Sequence, residues 1–159
     1  MCRHQFALCR AHPRGGAART RLFGIRVADS KVSKSLGKSG DITKAQHCRA
    51  EVFIERKGWF PVDPADVRKV VLEEQVPLDS DKVKGLRERL FGSWEMNWVG
   101  FNYARDFTLP GQKKGPIGFL MYPYAETSDG SRDSLDPAGF AYAISSKEIV
   151  WGDSSASPP

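Results

Sequence analysis

Residues 46–66, Q-H-C-R-A-E-V-F-I-E-R-K-G-W-F-P-V-D-P-A-D, decide the fold. From Cys48 to Ile54, small or apolar side chains alternate with polar or exposed ones, the period of a half-buried strand. Arg56, Lys57 and Gly58 supply a turn and Trp59 to Val62 a second short strand, so the segment predicts a β-hairpin. An antiparallel hairpin brings its far ends together. His47, at the start of the first strand, and Asp63, at the end of the second, therefore become neighbours. A carboxylate beside an imidazole fixes the ring tautomer and stabilises its charged form, the orienting part of a nucleophile, base and acid arrangement.

The same alternation sorts the first strand into two faces. Cys48, Ala50, Val52 and Ile54 share one, and His47, Arg49, Glu51, Phe53 and Glu55 the other. The first set is the candidate core, so Cys48 points away from His47 and does not form a catalytic pair with it. Glu51 is a candidate ligand contact, with an exposed carboxylate paired to Arg49 or Lys57 as the simpler account. Asp63 has two candidate roles. It orients His47, and it caps a helix that has Pro64 at its first position and Val67, Val70 and Val71 as its apolar stripe. If capping is its only role, Asp66 serves the positive end of the helix dipole.

Working outward, Arg21 to Ala28 alternates and predicts a strand. Residues 29–46 then read as a long polar connection made flexible by Gly37 and Gly40, leading to His47 and placed to border a cleft. Gly37-Lys38-Ser39 is not a phosphate loop, because Val32 stands where that motif requires glycine. Downstream, Gln75 to Pro77 stops the first helix, and Asp79 or Ser80 caps a second that runs through Phe91, with Val83, Leu86 and Leu90 inward. Trp94 to Phe107 is rich in aromatic residues and contains a strand at Trp98 to Asn102. Ile117 to Tyr122 and Phe140 to Ile144 predict two more. A few helices within a run of antiparallel strands make an α+β domain.

With 159 residues, 40% of them hydrophobic, the chain buries one core, assigned to residues 21–151. Residues 1–20 form an arginine-rich flank and residues 152–159 a disordered tail. The net charge of +5 comes from the opening: residues 1–28 hold six arginines and no acid, leaving eighteen basic against nineteen acidic residues elsewhere. That balance predicts no basic face and no nucleic-acid partner. No apolar run approaches the ~20 residues needed to span a bilayer, so no membrane partner is expected. The opening has the composition of a mitochondrial transit segment, but Pro13, Gly15 and Gly16 interrupt its helix. Three cysteines, Cys2, Cys9 and Cys48, give no disulfide framework, which suits a soluble cytoplasmic chain. The C-x-H-x4-C-x2-H spacing of Cys2, His4, Cys9 and His12 matches no common zinc module, and neither metal nor cofactor is predicted.

Taken together, His47 with Glu51 four positions on, Gly58-Trp59, Pro61 and Asp63-Pro64 resemble the histidine and aspartate segment of the transglutaminase-like superfamily. The resemblance extends through Phe23-Gly24-Ile25-Arg26-Val27, Trp94 to Asn102 and Gly118 to Glu126, in the manner of the bacterial branch. It implies a papain-like core and a Cys-His-Asp triad in which His47 shuttles a proton and Asp63 orients it. The implied reaction is acyl transfer at, or hydrolysis of, a protein or peptide amide. The family's nucleophilic cysteine opens a buried helix ahead of the strand matched by Leu22 to Ala28. Phe6 to Ala11 resembles the later part of that helix, so the nucleophile would fall just before Met1. His12 to Arg19 stands where a G-I-P-A-R-like turn is usual. The expectation is an opening that is truncated or slipped in frame, without the nucleophile. Cys2 has no preceding chain to hold it, and Cys9 reads as a small buried thiol. The alternative is a catalytically inactive remnant serving as a structural or interaction domain.

Overall fold

The computed structural model describes residues 18–150. The expectations for Cys2, His4, Cys9, His12 and the C-terminal tail lie outside them. In chain order the elements are β1 (Arg19–Arg26), a 3-10 turn (Lys34–Leu36), β2 (Gly40–Asp41), β3 (Gln46–Ile54), β4 (Gly58–Val62), α1 (Pro64–Glu73), α2 (Asp81–Arg89) and β5 (Trp98–Asn102). Five short strands follow: β6 (Arg105–Phe107), β7 (Ile117–Phe119), β8 (Glu126–Thr127), β9 (Gly130–Ser131) and β10 (Ser145–Ser146). The class is α+β. Strands β4, β3, β1 and β5 form an antiparallel sheet in that order, and the minor strands pair as β10 with β2, β6 with β7 and β8 with β9.

The hairpin forms where the sequence places it. Ile54 pairs with Gly58 and Ala50 with Val62, and the connection turns through Arg56 at φ 67° and Gly58 at φ 81°. Glycine takes that left-handed conformation without steric cost. β1 lies against the other edge of β3, with Gly24 opposite His47. At the end of β4, Asp63 Oδ1 accepts the Asp66 N–H at 3.1 Å and Pro64 occupies the first helical position, so α1 starts there. Ser80 caps α2 in the same way through the Val83 N–H.

Two apolar clusters hold these elements together. Leu36, Val70, Leu86 and Leu90 join α1, α2 and the 3-10 turn, while Phe23, Cys48 and Met121 fill the other side of the sheet beneath Phe119 and Tyr122. Cys48 is wholly buried there, on the strand face assigned to it. The 29–46 connection is less polar in effect than its composition suggests. Leu36 and Ile42 are buried, and Glu74 receives the hydroxyls of Ser33 and Ser35, which pins the segment to the end of α1.

Three expectations are corrected. Phe140 to Ile144 is not a strand; the final pairing is the two-residue β10 against β2, and Phe140 and Tyr142 contact each other's rings. The Ile117 to Tyr122 strand stops at Phe119. Glu51 does not pair with Arg49 or Lys57: Arg49 is buried among other partners, and Glu51 interacts with the Tyr103 hydroxyl. Burial, followed by that carboxylate, pushes the Tyr103 phenol up from its ordinary value. Among the described residues, no helix is long and apolar enough to cross a membrane.

Candidate functional site

The hairpin ends meet as its geometry requires. His47 Nε2 lies 2.8 Å from Asp63 Oδ2, and both side chains are buried. One carboxylate fills both roles the sequence left open, because Oδ1 caps α1 while Oδ2 takes the ring nitrogen. A carboxylate only accepts, so Nε2 carries the hydrogen in this contact. That leaves Nδ1 as the nitrogen able to exchange a proton with a reacting group.

Three further charged side chains close around the pair, none of which the sequence reading assigned to the site. Asp66 Oδ1 lies 3.4 Å from His47 Nε2 and is hydrogen-bonded by Arg26 Nη2. Arg49 Nε approaches Asp63 Oδ2 at 3.4 Å. Arg26, Arg49, Asp63 and Asp66 are all buried with His47. Their formal charges cancel, two guanidiniums against two carboxylates, so the cluster is neutral whenever the imidazole is neutral.

Two tryptophans organise Arg49 and the backbone at once. The Arg49 guanidinium carbon sits 4.9 Å from the Trp98 ring centre and 5.8 Å from that of Trp94, within range of a cation–π contact. Trp98 Nε1 donates to the His47 carbonyl at 3.1 Å, and Trp94 Nε1 to the Val62 carbonyl at 3.3 Å. Each indole therefore fixes the backbone at, or just before, one member of the pair. Arg49 completes its contacts through Nη1 to the Glu95 carbonyl at 2.5 Å. The sequence reading put Arg49 on the His47 face of the strand as a partner for Glu51; its parity with His47 and the Trp94-x3-Trp98 spacing were the available signals of its place in the site.

Burial pushes the Asp63 carboxyl up, but His47 by charge and hydrogen bond, then Arg49 and the Asp66 N–H, outweigh it and hold Asp63 below the usual carboxylate range. For Asp66, burial comes first and the neighbouring Asp63 charge adds to it, so its carboxyl is raised despite His47 and Arg26. Two adjacent carboxylates thus separate in acidity, as they must when both cannot be equally compensated. Burial also pulls Arg49 down, with Asp63 and Asp66 opposing.

His47, Asp63 and Asp66 each offer a ligand atom, all within 4.8 Å of one another. The nearest oxygens already have partners, however: Arg26 bonds Asp66 Oδ1, and Asp63 accepts the Asp66 N–H on Oδ1 and His47 on Oδ2, which Arg49 also approaches. A divalent cation would add two charges to a neutral cluster and have to displace a buried arginine, so the donor set is poorly suited to a metal. Asp63 also lines a groove of about 700 Å³, together with Val62, Val67, Arg68, Arg87, Leu90 and Phe91 among others.

No family model matches the chain, and no solved structure matches it. An uncharacterized protein of Haemophilus influenzae is 41% identical over 154 residues, a match covering 90% of this chain and 41% of that protein. The chain spans about two fifths of the length of this relative.

Proposed function

We propose that this chain carries the histidine and aspartate of a transglutaminase-like thiol acyl-transfer site on a papain-like α+β scaffold. The observation that supports this best is the buried 2.8 Å contact between His47 Nε2 and Asp63 Oδ2, formed across a hairpin whose surrounding residues resemble that superfamily. In this reading a thiol gives its proton to His47 Nδ1 and attacks the carbonyl of a protein or peptide amide. The tetrahedral intermediate collapses to a thioester as the imidazolium returns the proton to the leaving amine. Water or a second amine then attacks the thioester, with His47 again taking and returning the proton. Asp63 keeps hydrogen on Nε2 throughout, so Nδ1 is always the working nitrogen.

Cys48, the one cysteine among the described residues, is packed with Phe23 and Met121 on the face of β3 opposite His47. That placement favours, as a second reading, a structural or interaction domain that retains the histidine and aspartate without the chemistry. Alkylation separates the two. Treatment of the folded chain with iodoacetamide, read by mass spectrometry, gives rapid labelling of Cys2 or Cys9 that is lost in His47→Ala if the site is active, because the neighbouring imidazole raises the thiolate fraction. Labelling at the rate of an unfolded peptide, unchanged by His47→Ala, rejects acyl transfer by this chain and leaves the second reading.

A further inference from the structure

We propose that Asp66 is a second positioning residue for His47, held in place by Arg26, and that its carboxylate takes no part in capping α1. The argument begins with where Asp66 sits. Asp63 is the N-cap of α1 and Asp66 is three residues on, the two positions that exchange hydrogen bonds in a capping box. Only one half of that exchange is made: Asp63 Oδ1 accepts the Asp66 N–H. The Asp63 N–H, which the Asp66 side chain would otherwise receive, donates instead to the Leu90 carbonyl at 3.1 Å, where the chain leaving α2 crosses the end of β4. The Asp66 carboxylate is thereby released from the helix terminus.

A released acid at a helix start normally turns to water, where it still benefits from the dipole. Asp66 is 1% exposed. It points into the cluster, bonded by Arg26 and 3.4 Å from His47 Nε2. Burying an ionised carboxylate costs several kcal/mol unless other groups compensate it, and here the compensation comes from Arg26 and from the imidazole N–H.

The contact has a specific consequence for the ring. Asp63 Oδ2 is shared, since Arg49 Nε also approaches it, and one shared acceptor leaves the imidazole free to swing in the plane of that bond. Asp66 Oδ1, 3.4 Å from the same Nε2, is too far for a well-formed hydrogen bond but attracts that N–H by charge from a second direction, which opposes the swing. Asp66 therefore fixes the direction in which Nδ1 points, while Asp63 fixes which nitrogen carries hydrogen. The relevance of this to catalysis rests on the acyl-transfer reading; the positioning itself does not.

The test is proton and nitrogen NMR of the full chain labelled with ¹⁵N-histidine, following the Nε2–H of His47. In the wild type it gives a downfield proton resonance protected from solvent exchange. Asp66→Asn should move that resonance upfield and speed its exchange about tenfold, the size expected for removing a neighbouring buried charge, and Asp66→Glu should restore part of both. An Asp66→Asn spectrum with the His47 shifts and exchange rate unchanged overturns the proposal, whatever happens to thermal stability, because an acid that merely anchors Arg26 would leave the ring untouched. Should Asp66→Asn fail to fold, Arg26→Met with Asp66→Asn removes both buried charges together; the same upfield, fast-exchanging resonance supports the proposal, and a wild-type resonance overturns it. Alkylation that proves independent of His47 removes the acyl-transfer reading without altering either result.

Discussion

Replacing Asp63 probes the cap and the imidazole contact separately, because its two oxygens have different partners. Asp63→Ala removes the acceptor for the Asp66 N–H, a loss of about 1 kcal/mol for a helix N-cap. It also strips His47 and Arg49 of a buried carboxylate, and breaking a buried pair costs about 3–5 kcal/mol. The sum is about 4–6 kcal/mol, a large share of the ~5–15 kcal/mol that holds a domain folded. Asp63→Asn keeps a carbonyl oxygen for the cap and loses only the charge, so it should be more stable than Asp63→Ala by about 1 kcal/mol. Urea unfolding at pH 7, followed by tryptophan fluorescence and far-UV circular dichroism, measures both. The pH dependence supplies a second check. The folded-state acidity of Asp63 is held below its unfolded value, so its contribution is complete above about pH 4 and disappears as pH falls through the folded value. Asp66 has the opposite sign: its carboxyl is raised on folding, and the stability this lends is present at low pH and lost as pH rises through the raised value. The gap between wild type and Asp63→Asn should therefore narrow on acidification. The reasoning is refuted if Asp63→Ala costs less than ~1 kcal/mol, or if the alanine and asparagine variants unfold together.

Gly24→Ala tests the close approach beneath the site. A Cβ there would stand 2.1 Å from the Val99 carbonyl oxygen and 2.4 Å from the Trp98 ring, and backbone cannot step aside, so a loss of at least ~1–3 kcal/mol in urea unfolding is expected. A variant as stable as wild type would show that β5 does not pack on β1 in this way. Glu74 tests the anchor of the 29–46 connection: hydrogen bonds from Lys82, then Ser33 and Ser35, lower its carboxyl to about 2. Its stabilisation is present above the unfolded value near 4.5 and fades as pH falls toward 2, so Glu74→Gln should lessen the acid sensitivity of unfolding across that interval. A carboxyl ¹³C titration of Glu74 with a midpoint at the ordinary value would contradict the contacts.

The hairpin and its consequence were legible because both rest on local rules. Period-two alternation with a turn at Gly58 sets the register, the register sets which ends meet, and Asp63-Pro64 marks a helix start. Arg26, Arg49 and Asp66 were not legible for the complementary reason. Charged residues on a strand or in a first helical turn are solvated by default, and only tertiary cover reverses that. Here α1 folds back over the His47 face and the Trp94 and Trp98 rings close on Arg49, contacts between residues far apart in the chain. The failure at Phe140 to Ile144 has a similar origin. Its aromatic alternation suits a strand, but a strand exists only with a partner, and the pairing available is the two-residue match of Ser145 and Ser146 to β2.

The composition of the cluster bears on why it exists. A set of apolar side chains of the same volume would hold β1, β3 and α1 together at least as well, since desolvating two carboxylates and two guanidiniums consumes most of what their attraction returns. Asp63 alone would suffice to cap α1. What the extra charges achieve is local to the imidazole. Arg49 and Arg26 keep two carboxylates ionisable in a buried place, and both carboxylates face one ring N–H, leaving the opposite nitrogen to take up or release a proton. The cluster is neutral with the ring neutral and gains one charge when the ring is protonated, so a negative group developing at Nδ1 would find a partner there. A thiolate is such a group. On the proposed acyl-transfer reading the reacting thiol stands on the Nδ1 side of His47, and Cys48, packed with Phe23 and Met121 on the opposite face of β3, is not that thiol.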